Sequence, residues 1–165
     1  MYFRDLELLR YHEDAFRAEN WSAPLLAVGW LEHPNAFPTG VIDDAVISKL
    51  KALVEQTRRY QGANSFLGMM HCTFCRAANL PGPGPIWSQE NVFIPGTSAV
   101  YVAPGGIVHY IEQHSYCPPP EFLRAVRQCP DLATPMYRDA IRTANHGLRP
   151  PSGAGLGWVK PGPDY

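Results

Sequence analysis

Cys72-Thr73-Phe74-Cys75 and, beyond residues 76–108, the pair His109 and His114 constrain this chain more than any other feature. Cysteines separated by two residues can bring both sulfurs to one point from a tight turn. Histidines with four residues between them fall within the spacing of the histidine half of a zinc finger. An ion reached by both pairs would fasten a turn to a helix far downstream. The stretch between them is well above the about 12–15 residues of a short finger, so the intervening chain must itself fold. Two thiolates and two imidazoles in a tetrahedron suit zinc, in a closed structural site with no position left for water. The expectation is one zinc ion on Cys72, Cys75, His109 and His114, with no residue assigned to catalysis. One geometric demand comes with it. Histidines five positions apart differ by about 140° around an ideal helix, so His114 must come from a distorted last turn, just before Pro118.

The same residues admit other uses. His71 adjoins Cys72 and could replace either downstream histidine. A CxxC can be a redox pair, which needs a strand before it and a helix after it; the prolines from Pro81 onward leave that helix little room. Buried thiols with hydrogen-bonded histidines are a further reading. His109 with Glu112 approaches the HxxEH pattern of inverted zinc peptidases, but Gln113 intervenes before His114 and the shared face is lost. Cys117 and Cys129 stand apart from the pair and from each other, which points to core or surface positions.

Around these residues the chain reads as short elements joined by turns, as its 17 prolines require. Leu6, Leu8 and Leu9 suit a short helix or an irregular lead-in. Pro24 to Leu31 is a continuous apolar run that fits a buried strand. Val46, Ile47, Leu50, Leu53 and Val54 recur at helical spacing, predicting a helix over about 43–59 with Asp43 or Asp44 as N-cap and Arg58-Arg59 at its negative end. Residues 86–94 and 98–103 flank Pro95-Gly96-Thr97 and predict a hairpin. Pro104 would open a helix over 104–115 that carries both histidines. Gly105-Gly106 there suits close packing, or an anion at the helix start. Two more helices are expected, over 119–128 and 134–144. Residues 147–165 are dominated by Gly and Pro and read as an extended tail.

The fold class that results is α+β. It is a small zinc-centred domain over residues 1–146, with a CxxC turn, a β-hairpin, a histidine-bearing helix and flanking helices.

A net charge of −1 supplies no field to attract nucleic acid or an anionic membrane. No apolar stretch approaches about eighteen residues, so no spanning helix is expected. The start, Met1-Tyr2-Phe3-Arg4-Asp5, lacks the layout of a signal peptide. Four cysteines without a disulfide-like spacing then fit a cytoplasmic protein. No Walker A loop, Rossmann glycine pattern or GxSxG elbow occurs.

Several separated motifs occur in one order: Met1-Tyr2-Phe3-Arg4-Asp5-Leu6, Val28-Gly29-Trp30-Leu31, Phe37-Pro38-Thr39-Gly40 and the CxxC. Tyr101 to Pro104, Ile107, His109-Tyr110-Ile111, His114, Tyr116, Pro118-Pro119 and Phe122 follow. On these the chain resembles a family of short uncharacterised bacterial proteins, over roughly residues 1–130. The resemblance implies the same fold and metal site, and brings no reaction with it.

The favoured function is a zinc-stabilised, non-catalytic binding or regulatory protein whose partner is another protein. Arg124 and Arg127 offer at most a small basic patch, and the oligomeric state is left open. The alternatives are a zinc-dependent hydrolase with Glu112 as general base and Tyr101, Tyr110 and Tyr116 lining a pocket, where the favoured reading has these tyrosines wrapping the metal site and its hairpin, or an immunity- or antitoxin-like protein.

Overall fold

The computed structural model describes residues 1–9, 22–60, 70–78, 86–87 and 91–147. The architecture is α+β, with five short strands and five helices among those residues. Strands β1 (Leu25–Ala27), β4 (Asn91–Pro95) and β5 (Val100–Pro104) form one sheet, in the order β1-β5-β4. Strands β2 (Met70–His71) and β3 (Ile86–Trp87) form a separate antiparallel pair. The helices are α1 (Asp44–Tyr60), α2 (Thr73–Ala77), α3 (Ile107–His114), α4 (Pro120–Gln128) and α5 (Pro135–Ala144). Apart from Gly147, the expected tail lies outside the described residues.

The expected hairpin is present as β4 and β5, with Val92 opposite Ala103 and Ile94 opposite Tyr101. Its turn closes through Gly96 N–H to the Ala99 carbonyl at 2.9 Å. The first strand is shorter than the sequence suggests. Ile86 and Trp87 pair with Met70 and His71 instead, and residues 88–90 fall outside the described set. Val102 gives its carbonyl to Val28 N–H on the β1 side, so its partner Phe93 turns its own polar groups away from β5. Pro95 shares that outward phase, where a residue without an N–H forfeits no ladder bond. The outward carbonyl of Phe93 accepts the Tyr137 hydroxyl at 2.8 Å.

The apolar run from Pro24 supplies only three strand residues, because Gly29 leaves the ladder at φ +73°. A β-carbon there would sit 2.9 Å from Ile107 side-chain carbons, so the position requires glycine on both counts. Beyond the turn the run stays buried and keeps contact through polar tips. Trp30 Nε1–H donates to the Val102 carbonyl at 2.9 Å, and Tyr110 O–H to the Leu31 carbonyl at 3.0 Å. The lead-in is irregular. It covers the free edge of β1, with Leu6 and Leu9 N–H bonded to the carbonyls of Ala27 and Leu25.

Helix α1 matches its predicted span within a residue at each end, and Asp43 Oδ1 caps it by accepting Ala45 N–H at 2.9 Å. Helices α1, α4 and α5 pack against β4, and α1 also lies against α3 and α4. The histidine-bearing helix begins later than expected: Pro104 is the last residue of β5, and Gly106 is the N-cap of α3. Both Gly105 and Gly106 are buried. That fits close packing where strand turns into helix.

Candidate metal centre

The two halves of the cluster reach one another by different local devices. On the cysteine side, strand β2 delivers Cys72 as the N-cap of the one-turn helix α2, and Cys75 N–H donates to Cys72 Sγ at 3.4 Å. Five residues are all the helix that follows, in keeping with the prolines beyond it. The imidazole side depends on how α3 ends. Ser115 N–H bonds to the Tyr110 carbonyl five residues back, and Tyr116 N–H goes to that same carbonyl at 3.1 Å. A turn closed five residues back is wider than an α-turn and advances less per residue. Residues five apart therefore swing toward one face, and the His109 and His114 ring centroids lie 5.1 Å apart. Ser115 then leaves the helix at φ 54°, in the left-handed region.

Cys72 Sγ lies 3.2 Å from His114 Nε2, while Cys75 Sγ lies 3.3 Å from His114 Nε2 and 3.4 Å from His109 Nε2. One ligand atom from each of the four residues lies within 4.8 Å of every other, an arrangement compatible with a metal ion. The structure thus brings together all four residues singled out in the sequence. Among the described residues the cluster does not include His71, Cys117 or Cys129. The Cys129 thiol donates to the Pro130 carbonyl at 3.4 Å, and burial pushes it up to about 12.

Both cysteines are buried and both histidines are half-buried. Burial, then the neighbouring His114, holds the His109 imidazole below its usual value against the opposing pull of Glu112. Burial does the same to His114. Both rings are therefore neutral near pH 7, the form that ligates metals. Burial and the adjacent Cys72 push the Cys75 thiol up. A bound cation would reverse the sign of that field.

The carboxylate that a hydrolase would need is engaged elsewhere. Glu112 Oε1 pairs with Lys51 Nζ at 2.6 Å on the surface. The three tyrosines are packed rather than lining an opening. Tyr110 and Tyr116 are buried with hydroxyls bonded to Leu31 and Asp5, and Tyr101 meets Phe122 edge-on at 5.9 Å.

Sequence reasoning expected tyrosines around the cluster, as Tyr110 is, but missed that Phe74, Phe37 and His33 complete an aromatic collar there. Phe74, inside the CxxC, meets Phe37 at 5.1 Å, His33 at 5.9 Å, Tyr110 at 6.1 Å and His114 at 5.6 Å. The Thr73 hydroxyl accepts His33 N–H at 2.8 Å. An aromatic between the two cluster cysteines was the available signal; its partners are distant in sequence. The chain from Pro38 to Gly40 is also tied to the end of α3, by Cys117 N–H to the Pro38 carbonyl and Gly40 N–H to the Ser115 carbonyl.

Fold and cluster together define a small α+β domain with a Cys2His2 group able to hold a metal at the junction of two otherwise separate pieces of chain. The chain belongs to the family described as domain of unknown function DUF7919, whose model matches residues 1–127. The match takes in all four cluster residues and ends within α4. No curated protein and no solved structure matched the chain in the same comparisons.

Proposed function

We propose that Cys72, Cys75, His109 and His114 bind one zinc ion in a closed tetrahedron, and that the domain is a zinc-stabilised, non-catalytic binding or regulatory module. The observation that carries this reading is the length of the sulfur–nitrogen edges. Zinc bonds to thiolate and imidazole set a tetrahedral edge of about 3.6 Å, and the three edges at hand are 3.2, 3.3 and 3.4 Å. These three edges need open only slightly to span an ion. The mixed sulfur and nitrogen donor set favours zinc over harder cations.

A non-catalytic role is supported by four candidate protein ligands, which would fill a tetrahedron, and by the pairing of Glu112 with Lys51. With net charge −1 there is little to draw a polyanion. A protein partner fits this charge balance better than nucleic acid does. Free thiols in the cluster fit a reducing compartment such as the cytoplasm.

The test is elemental analysis of the purified protein, together with the visible spectrum after cobalt substitution. One zinc per chain is expected, with a tetrahedral thiolate–cobalt spectrum, and both lost in Cys72→Ser and His109→Ala. Stoichiometric zinc retained in both variants would show that the ligands lie elsewhere.

A further inference from the structure

The cysteine half of the cluster sits on a piece of chain that cannot hold its own shape. Helix α2 has five residues, far short of the roughly 12–15 at which an isolated helix becomes even marginal. Strand β2 has two residues and pairs with only two of β3, and an isolated two-stranded pair is itself at best marginally stable. Among the described residues, β2, α2 and β3 make no broad packing contact with any other element; the pairing of β2 with β3 is the extensive one. The rest of the fold is different. Helices α1, α4 and α5 pack on β4, and β5 is hydrogen-bonded on both sides. Helix α3 buries Ile107, Tyr110 and Ile111 whether or not its histidines are engaged.

We infer that Met70–Ala78 is a metal-latched segment: zinc holds it against α3, and zinc loss releases it while the sheet and its helices stay folded. This rests on the zinc reading above and names the regulation of that same site. Among the described residues, the ties that would remain without the ion include the contacts between the cysteine and histidine side chains themselves, the hydrogen bond from His33 N–H to Thr73, the packing of the half-buried Phe74 in its collar, and the burial of Cys72 and Cys75 against the core. None of these lies within a self-supporting element. Release carries Phe74 away from the ring edges of Phe37 and Tyr110. Zinc occupancy is thereby converted into the display or concealment of aromatic surface, which a regulatory module can present to a partner.

Hydrogen exchange on the full chain tests this, comparing zinc-loaded and chelator-stripped samples whose metal content is measured in parallel. In the stripped sample, peptides covering Met70–Ala78 should lose the protection that Arg76 N–H and Ala78 N–H owe to the carbonyls of Cys72 and Phe74. Peptides covering β5 and α4 should keep theirs. The double variant Cys72→Ser, Cys75→Ser should reproduce the stripped pattern, which guards against incomplete chelation. Loss of protection throughout β4, β5 and α4 would overturn the latch, because zinc would then hold up the whole core. Equal protection of Met70–Ala78 in both samples would overturn it as well. A protein that neither contains nor takes up zinc would defeat the zinc reading by its metal content alone, and the latch with it.

Discussion

Asp5 places two donors on one oxygen: Tyr116 O–H at 2.8 Å and Gly29 N–H at 3.0 Å both reach Oδ1. Burial pushes this carboxyl above its ordinary value, against the lowering effect of those two hydrogen bonds. The folded chain therefore keeps the proton to higher pH than the unfolded chain does. Asp5's contribution to stability is full below the unfolded value of 3.8 and declines as pH rises through the folded pKa. In Asp5→Asn an amide oxygen can accept both donors without carrying charge. Urea unfolding from the acid carboxylate range to neutrality should lose that decline, with stability at pH 7 unchanged or higher. A loss above about 2 kcal/mol at pH 7 would mean that the charge itself is required. Gly29 gives a prediction of opposite sign. In Gly29→Ala the methyl meets Ile107 carbons at 2.9 Å and the backbone is held at φ +73°. The left-handed backbone alone costs about 1–2 kcal/mol and overpacking adds to it, so the urea midpoint should fall by the equivalent of about 2–4 kcal/mol.

At the level of elements, helix ends matter most. Thr134 caps α5 by accepting Tyr137 N–H at 3.3 Å, and Thr134→Ala should cost about 1 kcal/mol in thermal or urea unfolding. Ser115 ends α3 at φ 54°, so Ser115→Gly should leave zinc affinity unchanged and raise stability by up to about 1 kcal/mol. A drop in affinity would show that the serine side chain, not the turn, positions His114. Helix α1 could be read from sequence to within a residue because its apolar spacing and its Asp43 cap are local. The start of α3 could not. Pro104 suits a first helical turn and an outlying strand position equally, and the choice fell to the strand because β5 continues its pairing to Asn91. The early end of β1 was hidden for a similar reason. The apolar run continues past Gly29, and only the approach of Ile107 shows why the backbone must turn there.

Over the whole molecule, ion pairs join α1 to its surroundings: Lys49 to Asp131, Lys51 to Glu112 and Asp43 to Arg127. All are partly exposed, and such pairs are each worth about 0–1 kcal/mol. About 1 M sodium chloride should therefore shift the melting temperature of the purified protein by no more than a few degrees. A collapse in salt would place far more of the stability in these charges than the buried core allows. The Cys2His2 group was readable in the sequence because each of its halves is a short local pattern. That the halves meet was an inference from donor chemistry. The widened turn that aims His114, the collar around Phe74 and the parallel pairing of β1 with β5 depend on contacts too distant in sequence to be read from it. The separation of the halves has a consequence during synthesis. Cys75 precedes His109 by 34 positions, and at ribosomal rates the thiols are made roughly 2–7 s before the His109 imidazole. On the proposed zinc reading, the nascent chain carries for that interval a CxxC dithiol without its two imidazole partners, open to oxidants and to competing soft metals such as copper, so that its loading becomes a race that translation speed can influence.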